Sequence, residues 1–113
     1  MNGIRGAIAT VENTENDILK STKELFNTIV ENNNLDISKI VSVIFTVTND
    51  LDAAFPAKAL RELGHYQLSA IDTKAPNVVN DLEGCIRVLV TYKDEIEVTH
   101  TYLGEAKNLR PDR

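Results

Sequence analysis

The stretch GCIRVLVTY, residues 84–92, alternates along its whole length. In an extended chain Ile86, Val88, Val90 and Tyr92 point to one side, and Cys85, Arg87, Leu89 and Thr91 to the other. The β-branched and aromatic content suits a pleated, half-buried surface, so the stretch reads as a strand. Its first face is wholly apolar and calls for a packed layer. Its second carries an arginine, a planar fork of donors that keeps its charge in any surroundings. A strand of this kind belongs to a sheet with helices on one side and something other than a helix on the other.

Working outward, IEVTHTYL at about 96–103 reads as the next strand, joined by the charged KDE turn, and KAPNVVND (74–81) reads as a loop punctuated by Pro76 and two asparagines. YQLSAIDT (66–73) reads as a weaker strand. FPAKALREL (55–63) is a short helix, with Pro56 in its first turn, Ala59, Leu60 and Leu63 on one side, and Gly64 at its end. KIVSVIFTVT (39–48) is almost continuously apolar, as expected of a central strand buried on both faces. Upstream, Thr14 followed by Asp17 resembles a capping box, and Ile18, Leu19, Thr22, Leu25, Phe26, Ile29 and Val30 form one stripe at helical spacing, ended by Asn32–Asn34. GIRGAIATV (3–11) reads as the first strand. The expected architecture is α+β: a five-stranded mixed sheet in the order β-α-β-α-β-β-β, with two helices on one face. So little helix cannot cover both faces of five strands. The face carrying Arg87 is therefore expected to meet another subunit in a closed cyclic assembly.

A chain of 113 residues forms a single domain, 1–113, with a modest core. No apolar run reaches the roughly 18–20 residues of a membrane span, and MNGIRGAIAT lacks the layout of a signal peptide. One cysteine excludes an intrachain disulfide and fits a reducing compartment, so a cytoplasmic protein is expected. The net charge of −5 argues against nucleic-acid and anionic-membrane surfaces. His65 and His100 stand alone, as solvent-edge residues, and offer no metal spacing; neither a metal nor a cofactor is expected. Cys85 reads as a small core thiol. There is no G-x-S-x-G, G-x-G-x-x-G or P-loop pattern. What remains is a set of anion donors with no acid–base pair: Arg5 between two glycines, Lys58 and Arg61 on the short helix, Arg87 in mid-strand and Arg110 in LRPD.

Taken together, GIRGA (3–7), FTVT and DLDAAFPAKALREL (45–63), CIRVLV (85–90), H-x-YL (100–103) and LRPD (109–112) resemble, in order and nearly in spacing, the monofunctional AroH-class chorismate mutases. The resemblance spans practically the whole chain. It implies a homotrimer with a barrel-like centre, helices outside and three sites at the subunit clefts. It also implies conversion of chorismate to prephenate by a [3,3] rearrangement, which needs no acid–base machinery. By the same resemblance Arg87 donates to the substrate's ether oxygen and a carboxylate. Arg5 and Tyr102 hold the side-chain carboxylate. Phe55, Ala57, Lys58 and Arg61 line the pocket, and Leu109 and Arg110 fold over it. The family's glutamate, ten residues before the strand's cysteine, falls on Ala75, with Asp72 the nearest upstream acid and Thr73 at a neighbouring contact position. That departure leaves open a second reading, a catalytically weak or non-catalytic relative that binds or rearranges a modified chorismate-like ligand.

Overall fold

The computed structural model describes residues 1–108. Five strands, β1 (Asn2–Ala9), β2 (Ile40–Val47), β3 (Ala70–Lys74), β4 (Ile86–Tyr92) and β5 (Thr101–Gly104), form one sheet in the order β3-β2-β4-β1-β5. β4 runs antiparallel to both β1 and β2, whereas β3 joins β2, and β5 joins β1, in parallel. Two helices, α1 (Glu15–Asn33) and α2 (Lys58–Glu62), supply the second layer. The expected α+β architecture is the observed one.

Helix α1 starts where its sequence provides a cap. Thr14 Oγ1 accepts the Asp17 N–H at 3.1 Å, and the Asp17 carboxylate reaches back to the Glu12 N–H at 2.7 Å. The helix stops at Asn34, which takes the left-handed conformation (φ 48°, ψ 50°) that asparagine tolerates. Between these ends Ile18, Leu25, Phe26 and Ile29 are fully buried, each contributing about 1.5–3 kcal/mol of burial. Thr22, buried in the same stripe, satisfies its hydroxyl on the Ile18 carbonyl at 2.7 Å. Facing this stripe are Ile4 and Ile8 of β1, Val43, Phe45 and Val47 of β2, and Ile86, Val88, Val90 and Tyr92 of β4, in one continuous core. Gly6 lets the layers approach: a Cβ there would lie 2.6 Å from Ile29 Cδ1.

Three elements are shorter than their sequence pattern. The helix expected at 55–63 is regular only over α2, since Phe55–Ala57 form a tight turn with i→i+3 hydrogen bonds. The strand expected at 66–73 begins at Ala70, after a turn at His65–Leu68. The strand expected at about 96–103 pairs only over β5. Before β5 the backbone is held by side chains instead of a ladder: Ile96 N–H donates to Asn2 Oδ1, and Thr99 N–H to Asn33 Oδ1. β2 is also not buried on both faces within one chain. Val43, Phe45 and Val47 meet the helices, while Val41, Ile44 and Thr46 are exposed or half-exposed. No helix among the described residues is long and apolar enough to cross a membrane.

Candidate active site

The strand registers decide what the open face presents. Thr46 pairs with Thr73 on one side and with Arg87 on the other, Arg87 pairs with Ala7, and Ala7 with Tyr102. Thr73, Thr46, Arg87, Ala7 and Tyr102 therefore form one row across all five strands. Neighbours in the row are about 4.8 Å apart. The next row on the same face runs Ile71, Ile44, Leu89, Arg5. Small residues beside the arginines leave a hollow of about 280 Å³, lined by Arg5, Ala7, Thr46, Arg87, Leu89 and Tyr102, with Pro76 at its rim. Two arginines and a tyrosine thus line one concavity.

The supports around these groups are specific. The Arg5 backbone N–H donates to His100 Nδ1 at 2.9 Å, so an imidazole takes the acceptor's place just beyond the end of the parallel β1–β5 ladder. Burial, followed by the charge of Arg5, lowers the His100 pKa. Arg87 Nη2 donates to Asp81 Oδ2 at 3.1 Å, with Asp81 largely buried. Thr46 Oγ1 is buried and, among the described residues, has no hydrogen-bond partner. At one end this face is covered by its own chain: Cys85, Ala7 and Ala9 pack with Ala106, Leu82 and Tyr102. Cys85 is the small core thiol its strand position implied. His65 and His100 are more than solvent-edge residues, since both are part-buried and His65 lies against Phe26 with ring centroids 5.6 Å apart.

Most of the remaining candidate residues gather elsewhere. A second hollow, of about 480 Å³, opens at the β3 edge and is lined by Phe55, Lys58, Asp72 and Thr73, with Glu15 and Leu51. Phe55 is 72% exposed there, unusual for a phenylalanine with a core of its own available. Asp72 Oδ1 accepts the Ala57 N–H at 2.9 Å, fixing the turn that leads into α2. Burial pushes the Asp72 pKa up, opposed by that N–H and by the Arg61 charge. Lys58 lies 3.4 Å from Glu15 Oε2, an exposed pair of little energetic weight. Arg61 is exposed on α2, and Ala57 meets the core through its side chain. Asp72 and Thr73 face opposite sides of β3, so the hollow wraps round the sheet edge.

The candidate residues thus fall into two separate groups, Arg5–Arg87–Tyr102 on the open sheet face and Phe55–Lys58–Asp72–Thr73 at the β3 edge. Leu109 and Arg110 lie outside the described residues. Ala75 is 7% exposed, with its N–H on the Val47 carbonyl at 2.8 Å. Sequence reasoning missed Asp81, Thr46 and the role of His100. Alternation along β2 could have placed Thr46 beside Arg87, but no spacing rule ties a loop aspartate to a strand arginine. Among the described residues no three His, Cys, Asp or Glu side chains converge as a metal site.

The family model described as "Chorismate mutase type I" matches residues 1–113. Chorismate mutase AroH of Bacillus subtilis (strain 168) is 38% identical over 114 residues, covering 97% of this chain and 90% of that protein. Chorismate mutase AroH of Thermus thermophilus is 40% identical over 114 residues, covering 97% and 93%. A solved chorismate mutase from Clostridium thermocellum superimposes with a TM-score of 0.93 at 38% identity, over 96% of this chain and 100% of that one.

Proposed function

The chain belongs to the chorismate mutase type I family, and from that premise we propose that it converts chorismate to prephenate by an intramolecular [3,3] rearrangement. An ether C–O bond breaks as a C–C bond forms within one molecule, so no proton moves and no covalent intermediate arises. The protein's contribution is then of two kinds. It holds the dianion in the compact conformer in which the reacting carbons meet, and it stabilises the negative charge growing on the ether oxygen. The observation that carries this reading is the convergence of Arg5, Arg87 and Tyr102 on one hollow of the open sheet face.

In this reading Arg87 donates to the ether oxygen and a carboxylate, a double task suited to a planar fork. Arg5 and Tyr102 hold the side-chain carboxylate. The other half of each site, Phe55, Ala57, Lys58, Arg61, Asp72 and Thr73, comes from a neighbouring copy in a homotrimer, whose assembly also covers Ile44, Leu89 and Ile71. Leu109 and Arg110 close over the ligand. A second reading, a weak or non-catalytic relative for a modified enol ether, is favoured by Ala75, which is apolar and buried where the family's glutamate is expected. Incubating the purified chain with chorismate and following prephenate formation separates the two. Turnover well above the uncatalysed rate supports the mutase. No turnover, with binding of a dianionic analogue retained, overturns it in favour of the second reading.

A further inference from the structure

Arg87 projects from the middle of a row whose nearest members, Thr46 and Ala7, are small, and the Thr46 hydroxyl makes no hydrogen bond among the described residues. A long arginine stem between such neighbours has several rotamers open to it. Among the described residues, Arg87 Nη2 donates to Asp81 Oδ2 at 3.1 Å, which holds its end.

Asp81 is itself placed by the fold. Its Oδ1 accepts the N–H of Leu82 at 2.9 Å, and its own N–H closes a turn on the Val78 carbonyl at 3.2 Å. Directly after it the chain is pinned. Leu82 packs on the Ala7–Cys85–Ala106 cluster, Gly84 N–H donates to Asp50 Oδ2 at 2.7 Å, and Cys85 N–H to Thr48 Oγ1 at 3.0 Å. Gly84 takes φ 57°, and a Cβ there would lie 2.5 Å from the Val11 carbonyl oxygen, so the loop end lies close against the chain just after β1. The side chain of Asp81 is only 12% exposed, against 34% for Arg87.

We propose that Asp81 is a positioning residue for Arg87: its carboxylate fixes one edge of the guanidinium so that the remaining N–H groups are aimed into the hollow. The kinetic arm of this inference rests on the mutase reading given above. Asp81 acts with two opposed effects. It orients the fork, which serves the transition state, and its negative charge, one hydrogen bond from Arg87, repels a dianionic ligand in every bound state. Removing the charge should therefore lower kcat and KM together, whereas loss of mere structural support shrinks the active fraction and lowers the apparent kcat at an unchanged KM.

The test compares the full-length chain with Asp81→Asn, which retains the acceptor for Leu82, and Asp81→Glu, which retains the charge on a longer arm. In the unliganded 15N-labelled protein, the Arg87 guanidinium resonances should be resolved in the native chain and averaged by free rotation in Asp81→Asn. With chorismate, Asp81→Asn should lose up to about 10²-fold in kcat, as for a misaimed catalytic group, with KM lowered and Asp81→Glu regaining part of the loss. A fall in kcat at an unchanged KM would make Asp81 a structural support only. Arg87 resonances identical in the native chain and Asp81→Asn would overturn the inference whether or not chorismate is the substrate. An unchanged kcat with a lower KM would overturn it too, because Asp81 would then only compete with the ligand. If the native chain shows no turnover, the mutase reading falls while the resonance comparison still decides the pairing.

Discussion

The backbone N–H of Arg5 donates to Nδ1 of His100, 95 residues away, at 2.9 Å. This bond needs the lone pair of a neutral imidazole, so it ties the placement of one site arginine to the protonation state of a histidine.

Acid should therefore loosen this edge of the sheet. His100 titrates below its ordinary value of about 6.5, chiefly through burial and then through the charge of Arg5. The folded chain binds this proton more weakly than the unfolded chain. Its contribution to stability is thus whole above about pH 6.5 and is lost as the pH falls from there through the folded pKa. Melting curves at pH 7.5 and 5.0 should show a larger drop for the native chain than for His100→Gln, which does not titrate. Equal drops would remove His100 from the account.

Arg87→Ala should leave the fold intact and remove about 3–4 kcal/mol of transition-state stabilisation, roughly 10²–10³-fold in kcat. Arg87→Lys should recover little, since one ammonium cannot serve the ether oxygen and a carboxylate together. Steady-state kinetics beside thermal melts check both. A kcat near the native value in either variant contradicts the role given to Arg87.

Leu89 is 40% exposed in the single chain, beside Ile44 on the open face. If three copies cover this face, light scattering should give about three times the chain mass of 12.5 kDa. Leu89→Glu should then shift the protein towards monomers and depress turnover, because each half-site loses its complement. A native monomer across a wide concentration range would separate the family's fold from the assembly proposed for it.

Asp72 and Ala75 respond to substitution in different ways. Asp72→Asn keeps an acceptor for the Ala57 N–H, whereas Asp72→Ala strands it, at a cost of about 1–3 kcal/mol measurable by denaturant unfolding. Introducing the glutamate that the resemblance implies, Ala75→Glu, places a carboxylate at a position that is 7% exposed. Unless the loop moves, this should destabilise the chain by about 2 kcal/mol or more. Native stability together with faster turnover in Ala75→Glu would mean that the loop opens to present that side chain to the ligand.

From the sequence alone, the period-2 pattern of residues 84–92 identified a strand with an apolar face and an arginine face, and the 3.6-residue stripe of 18–30 identified the helix that covers the first. These patterns are local: the pleat and the helical turn decide side-chain direction from neighbouring residues alone. The motifs around Arg5, Phe55, Arg87 and Tyr102 identified the family for the same reason, since each lies within a few residues of chain. The start of the strand expected at 96–103 depended on Asn2 and Asn33, which are remote in sequence and replace its ladder. Tertiary structure also decided which acid meets Arg87. Asp72 is turned away to hold the Ala57 amide, Ala75 is packed inside, and Asp81 is carried to the guanidinium by a loop anchored on Thr48, Asp50 and Leu82. A loop has no period to read. Its path is set by which distant donors, acceptors and apolar side chains it satisfies, and those are known only once the sheet has formed.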